Sequence, residues 1–253
     1  AAAADLVTAC ERLLEADCAE LATGGGHGVP PGSIVLGDPG AVIVRTAEVE
    51  PQVVFDTRKG PVVLEAGSMV RAGTRLEGPL YVGPHSWVLG GAVRQSVIGP
   101  HCRVHGEVSS TVFVGYANKS HDGFVGHSVL GHWVNLGAGT ITSNLKNTYG
   151  AIRLDLPGGP VDTGRTFLGS LIGDHAKTGI GTLLSTGTVV GAGANVIGNP
   201  VPRAIRPFVW SGETDLTEEG FVTVARRVMP RRGVVVSPEI EESLRALHRR
   251  LAR

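Results

Sequence analysis

Branched aliphatic residues recur along the middle of the chain at a step that belongs to neither a helix nor an ordinary strand. Leu64, Val70, Leu76, Val82 and Val88 stand six apart, and so do Ile172, Thr178, Leu184, Val190 and Val196. Between these runs, Val82-Gly83, Ile98-Gly99, Val114-Gly115 and Leu130-Gly131 fall sixteen apart. One apolar anchor every six residues, a small residue after it, and Ser, Thr, Ala or Val four positions on describe a short strand closed by a tight turn. Three such steps make a triangular coil, and a sixteen-residue coil has dropped a residue at two of its corners. Stacking puts like anchors about 4.8 Å apart, the spacing of neighbouring strands. The pattern predicts a mainly β protein, a parallel β-helix of roughly nine coils from Ile34 to Ile197.

Two kinds of segment break the period. Residues 142–165, with Pro157-Gly158-Gly159-Pro160, carry no ladder and read as a projecting loop. The ends read as helices. Asp5 to Leu21 sets Leu6, Leu13, Leu14 and Leu21 near one face, and Thr217 to Met229 does the same with Phe221, Val224 and Val228 before Pro230 stops it. A last helix is capped by Ser237, has Pro238 in its first turn and carries an Ile240, Leu244, Leu247, Leu251 stripe. These helices are expected to cover the open rungs of the β-helix. The divisions are thus 1–33, a helical segment and linker; 34–200, the β-helix with loop 142–165; and 201–253, a helical extension.

Composition narrows the function. Of 253 residues 37 are Gly, while only 5% are aromatic, which suits a prism too thin for many rings. Charge balances at 23 basic against 23 acidic residues, with no basic stripe interleaved with aromatics, so no nucleic acid partner is expected. No apolar run approaches the roughly 18 residues that span a bilayer, so no membrane partner and a cytoplasmic location are expected. Cys10, Cys18 and Cys102 match no zinc or redox spacing and read as reduced, structural thiols.

The densest polar cluster runs Asn118-Lys119-Ser120-His121-Asp122-Gly123-Phe124, followed by Asn135 and by Ser143-Asn144. His121 lies about one coil before Asn135, so the two can meet on one outer surface. A neutral imidazole accepts a proton near pH 7, and an amide beside it holds a substrate without competing for that proton. Lys119 and Lys146 are candidates for holding a phosphate.

Ser-His-Asp-Gly-Phe-Val-Gly and Leu-Gly-His-Trp-Val-Asn-Leu-Gly-Ala-Gly-Thr-Ile-Thr-Ser-Asn resemble the acetyltransferase half of the bifunctional glucosamine-1-phosphate N-acetyltransferase/N-acetylglucosamine-1-phosphate uridyltransferase enzymes. The whole chain resembles more closely a related bacterial branch described as sugar nucleotidyltransferases, through Asn144-Leu145-Lys146-Asn147, Gly173-Asp174-His175-Ala176-Lys177-Thr178-Gly179 and Ala225-Arg226-Arg227-Val228-Met229. The resemblance implies a left-handed β-helix of the hexapeptide-repeat acyltransferase type, assembled as a homotrimer. It also implies acetyl-CoA as co-substrate, a small amino-sugar phosphate like glucosamine 1-phosphate as acceptor, and no tightly bound metal. His121 matches the general base, Asn135 a sugar contact, and Asn144 a residue beside the acyl thioester. Ala138, Ser170 and Thr186 match acetyl-CoA contacts. Phe124 and Leu145 replace family tyrosines, the first of them at a sugar contact, and Ser109 replaces a phosphate-binding Lys. Direct attack of the amine on the thioester is the implied mechanism. The family's uridylyl-transfer signature, G-x-G-T-R-M, is absent from this sequence, so nucleotidyl transfer is not expected of this chain alone.

Two other classes compete. Trimeric β-helices include gamma-type carbonic anhydrases with zinc held by three histidines; His127 and His132 form an H-x4-H pair, and His85 and His101 stand sixteen apart. A non-catalytic assembly or regulatory module would explain the changes at Phe124, Leu145 and Ser109.

Overall fold

The computed structural model describes residues 4–26, 28–211 and 214–252 and is a parallel β-solenoid with three faces. The first face is a nine-stranded parallel sheet running from Val42–Val44, through Leu80–Val82, Val97–Ile98, Val112–Phe113 and Val129–Leu130, to Ala204–Ile205. The second carries the rungs at Met69, Trp87, Arg103, Asn118, Asn135, Lys177 and Asn195 in parallel register. The third begins with Ile34–Leu36, Val54–Asp56 and Arg75–Glu77. Parallel pairing continues beyond residue 200, since Ala204–Ile205 and Trp210 add rungs to the first and second faces.

Both six-residue ladders point inward and are buried. The sixteen-residue ladder needs one correction. Ile98 pairs with Phe113, and Phe113 with Leu130, so the steps are fifteen and seventeen residues and the interior anchor is Phe113. Val114, followed by a glycine like its counterparts, is only half-buried. Two residues before each later anchor of the first face a small hydroxyl also faces inward: Ser96, Thr111, Ser128, Ser170 and Thr188 are all buried. Ser96 Oγ accepts from the Thr111 amide at 3.1 Å and Ser128 Oγ from the Ser170 amide at 2.9 Å, so one coil's hydroxyl satisfies the next coil's corner peptide.

The first helix, α1 (Ala4–Thr23), lies along the outside of the first face and does not cap an end. Its 20 residues span about 30 Å, the length of some six rungs. The buried stripe is Val7, Cys10, Leu14 and Cys18, packed on Ile43, Val63, Tyr81, Val97, Val112 and Val129. Leu6 and Leu13, expected on that stripe, are 46% and 50% exposed. Once one face of the prism is apolar outward as well as inward, small thiol-bearing residues let the helix settle close to it.

Segment 142–165 is not a projecting loop. Arg153–Leu156 and Gly159–Asp162 form an antiparallel hairpin whose Ile152, Leu154 and Leu156 cover the same face beside α1, against Val129, Leu171 and Val189. Arg165 ties hairpin to helix through a two-pronged bond to Glu11, at 2.7 and 2.8 Å.

The helices α2 (Glu218–Val228) and α3 (Pro238–Leu251) begin at the caps Thr217 and Ser237. Phe221, Val222, Ala225 and Leu244 pack on the corner between first and second faces, where a column of rings climbs the solenoid. His85, His101, Tyr116 and Trp133 stack with centroids 5.0, 4.7 and 4.3 Å apart, and His175 follows at 6.2 Å. Each of the five has a positive φ of 54–61°, a strained setting for these residues. Stacking stabilises it. The neighbouring corners are Gly67 and Gly193; a Cβ on either would come within 2.4 Å of the ring of His85 or Phe208. Among the described residues no helix is long and apolar enough to cross a membrane.

Candidate functional site

The outward column of the second face, Trp87, Arg103, Asn118, Asn135 and Lys177, forms the floor of a cavity of about 570 Å³. Tyr116 and Trp133 of the ring column wall one side, and Leu89, Ser120 and His121 line the other. Val228, at the end of α2, and Arg231 and Arg232, from the turn after it, overhang the cavity, and Arg71 stands at its far end.

His121 and Asn135 share this cavity. Asn118 Nδ2 donates to Asn135 Oδ1 at 2.8 Å, while Asn118 Oδ1 accepts from Ser120 Oγ at 2.5 Å and Arg232 Nη2 at 3.3 Å. That chain fixes the Asn135 amide with its NH2 group unpaired among the described residues, ready to donate to a ligand. The His121 imidazole is exposed and has no protein partner among those residues, so both ring nitrogens are open to a ligand.

Lys119 does not reach the cavity, contrary to the expected phosphate role. Strand neighbours point to opposite faces, so with Asn118 outward Lys119 turns in and is 2% exposed. Its Nζ donates to the carbonyls of His105, at 2.9 Å, and His121. Burial holds the ammonium down at about 8 against its usual 10.5. The side chain braces the corner from which His121 projects.

Asn144 and Phe124 lie apart from this cavity, on the third face. Asn144 Nδ2 donates to His127 Nδ1 at 2.8 Å, and His127 stacks on Phe167 at 5.2 Å with Nε2 3.7 Å from Glu11 Oε1. Burial lowers the His127 pKa. Gly126 makes the room: a Cβ there would lie 2.4 Å from Phe124 Cζ and 2.7 Å from Asn144 Nδ2. Lys146 is also diverted, its Nζ donating to the Ala151 carbonyl to close the approach to the hairpin.

Of the three positions matched to acetyl-CoA contacts, Ala138 reaches the surface. The Ser170 side chain belongs to the interior hydroxyl ladder and is 0% exposed, and Thr186 is buried at the corner covered by the hairpin. The Ser170 side chain is thus closed to a ligand in this chain, and little of Thr186 is open to one. Histidines of the zinc reading are dispersed: His127 is beside Asn144, the His132 amide donates to Asp174, and His85 and His101 are rungs of the ring column. Among the described residues no three metal-ligating side chains converge.

The charged and amide-bearing cavity residues to which motif reading gave no role are Arg71, Arg103, Asn118, Lys177, Arg231 and Arg232. Burial sets Lys177, like Lys119, at about 8; its Nζ donates to the His175 carbonyl at 2.8 Å. Burial, and then the charge of Arg232, bring Arg103 down to about 10. Arg103 lies flat over Trp87, 3.7 Å from the ring centre.

No family model matches the chain. The bifunctional sugar-1-phosphate nucleotidylyltransferase/acetyltransferase of Sulfurisphaera tokodaii is 32% identical over 146 residues, 54% of this chain and 35% of that protein. The bifunctional protein GlmU of Jannaschia sp. is 31% identical over 159 residues, 60% of this chain and 30% of its own. Both relatives are named as bifunctional proteins. The chain spans about a third of their length. An Arabidopsis UDP-N-acetylglucosamine acyltransferase structure aligns over 87% of both chains, at 11% identity and a TM-score of 0.23.

Proposed function

We propose that this chain is an acetyl-CoA-dependent N-acetyltransferase acting on an amino-sugar phosphate, and that it works as a homotrimer. The observation that carries the reading is the pairing of an unencumbered imidazole, His121, with the held amide of Asn135 in a cavity lined by cations and, among the described residues, by no carboxylate. Likeness of the solenoid sequence to a protein named as a nucleotidylyltransferase/acetyltransferase supports it.

In this reading the phosphate is drawn to the arginines and the sugar lies against Asn135. His121 takes a proton from the amine as its nitrogen attacks the thioester carbonyl; the carbon–sulfur bond breaks, the thiolate of CoA leaves, and the imidazolium returns the proton to it. Asn144 is matched to the acyl end of the reaction, yet it stands on the next face, so the reading brings it to His121 from a second copy. An aliphatic strip on the third face, with Ile141 and Leu183 paired in register and 41% and 53% exposed, offers a surface for that contact.

The test is release of free CoA from acetyl-CoA with a panel of amino-sugar phosphates. His121→Asn is expected to lower kcat about 10²–10⁴-fold, the usual share of general base catalysis, with the oligomer intact by light scattering. Equal turnover by parent and variant removes His121 from the reaction, and no release with any acceptor favours a non-catalytic module.

A further inference from the structure

The cavity on the second face carries positive charge over a greater length than a sugar monophosphate can reach. Register fixes that length. Met69 pairs with Trp87, Trp87 with Arg103, and Arg103 with Asn118, so Arg71 sits three rungs before the rung that leads into His121. Three rungs are about 14 Å. The reacting amine has to come to His121. In a 2-amino sugar 1-phosphate four bonds separate that nitrogen from phosphorus, a reach of roughly 5 Å. With the roughly 6 Å of an extended arginine side chain this still falls short of Arg71, whereas a second phosphorus two bonds further on, at roughly 8 Å, closes the distance.

The cations along this stretch are also uncompensated. Arg226, Arg245 and Arg249, on the neighbouring helices, share Glu218, Glu219, Glu241 and Glu242. Arg71, Arg103, Arg231 and Arg232 have no carboxylate within ion-pair distance among the described residues, although Arg103 and Arg232 are both partly buried and near enough for repulsion. Arg103 spends Nη1 on the carbonyls of His85 and Cys102, leaving the rest of its guanidinium for a ligand. Partly buried guanidinium groups without acidic partners cost stability until an anion arrives, and their planar forks suit phosphoryl oxygens.

We propose that the acceptor is held through a diphosphate, as a nucleoside-diphosphate-linked amino sugar, with its phosphoryl groups between Arg103, Arg232 and Arg71 and its amine at His121. This rests on the acyl-transfer reading, because His121 fixes where the amine lies.

The experiment compares uridine diphosphate-linked glucosamine with glucosamine 1-phosphate as acceptors, in the full chain and in Arg71→Ala, by CoA release. The parent is expected to favour the diphosphate-linked acceptor at least tenfold in kcat/KM, and Arg71→Ala to shrink that preference to about twofold, chiefly through KM. Parent protein with equal or better kcat/KM on glucosamine 1-phosphate, and a ratio unmoved by Arg71→Ala, overturns the proposal and leaves acyl transfer standing. Calorimetric titration with the diphosphate-linked probe alone separates the two ideas. Binding that weakens at least tenfold in Arg71→Ala, without CoA release from either acceptor, upholds the diphosphate site and sinks the transferase; no binding and no release sink both.

Discussion

Adjacent residues Phe113 and Val114 give the sharpest test of the register. Phe113 is fully buried between Ile98 and Leu130, whereas Val114 is half-buried at the corner. Phe113→Ala removes a side chain worth about 1.5–3 kcal/mol in burial alone. A column of stacked coils cannot close around one missing ring without shortening its own hydrogen bonds, so most of the lost volume stays empty. At about 24 cal/mol per Å³, a void of up to ~100 Å³ adds up to ~2.4 kcal/mol. The sum, about 3–5 kcal/mol, is a large share of a typical stability of about 5–15 kcal/mol. Val114→Ala is expected to cost under about 1 kcal/mol, because half of its side chain already meets solvent. Urea denaturation followed by circular dichroism reads both. If Val114→Ala cost as much as Phe113→Ala, the inward column would run through residue 114 and the fifteen-then-seventeen spacing would be wrong.

Alkaline stability is expected to peak near pH 9. Burial pushes Cys10 up to about 11 and Cys18 and Cys102 to about 12 from 9.0, so their contribution is full below 9 and is lost as pH rises through 11–12. Lys119 and Lys177 act oppositely: depressed to about 8, they cost stability below 8, and that cost is relieved as pH rises toward 10.5. The lysines dominate from 8 to 9 and the thiols above, so the urea midpoint should rise slightly and then fall, less steeply in Cys18→Ala; a midpoint still climbing at pH 10.5 contradicts the burial of the thiols. For the shared site, His121→Asn and Asn144→Ala chains refolded together in equal amounts should regain about a quarter of parental activity, since random mixing gives each site an intact pair at that frequency. No recovery, with mixed oligomers present, places the whole site within one chain.

Much of the fold is written in the sequence because a solenoid repeats one decision. Most inward anchors are aliphatic and each corner must turn, so the six-residue step from Leu64 to Val88 and from Ile172 to Val196 names buried positions throughout. What the step does not carry is the outside. Val63, Tyr81, Val97 and Val129 alternate with the anchors on the first face, and their apolar character shows that something covers them without saying what. Two candidates, α1 and the 153–162 hairpin, have weak patterns of their own: α1 presents cysteines where leucines stand out, and the hairpin is masked by Pro157-Gly158-Gly159-Pro160. The slip at Val114 has the same origin, since an aliphatic-glycine pair marks a corner equally well when the anchor precedes it by one residue.

The site was legible only where its members are also neighbours of a motif. His121 and Asn135 stand fourteen apart, close to one coil, and come together as the period requires. Local density misled the reading of Lys119, because in a strand the next residue belongs to the opposite surface. Asn144 and Phe124 lie one face further round because the chain turns a corner between the second face and each of them. Conversely, side chains that share a surface are scattered: Arg103, Asn118 and Asn135 are fifteen and seventeen apart, and Lys177 follows Asn135 by 42 because the hairpin intervenes between rungs. Arg231 and Arg232 lie outside the repeat altogether. A composition with equal numbers of acids and bases therefore hides the concentration of charge that the fold creates: the acids of α2 and α3 neutralise arginines on their own surface, and the rungs of the second face collect theirs with no acid opposite among the described residues.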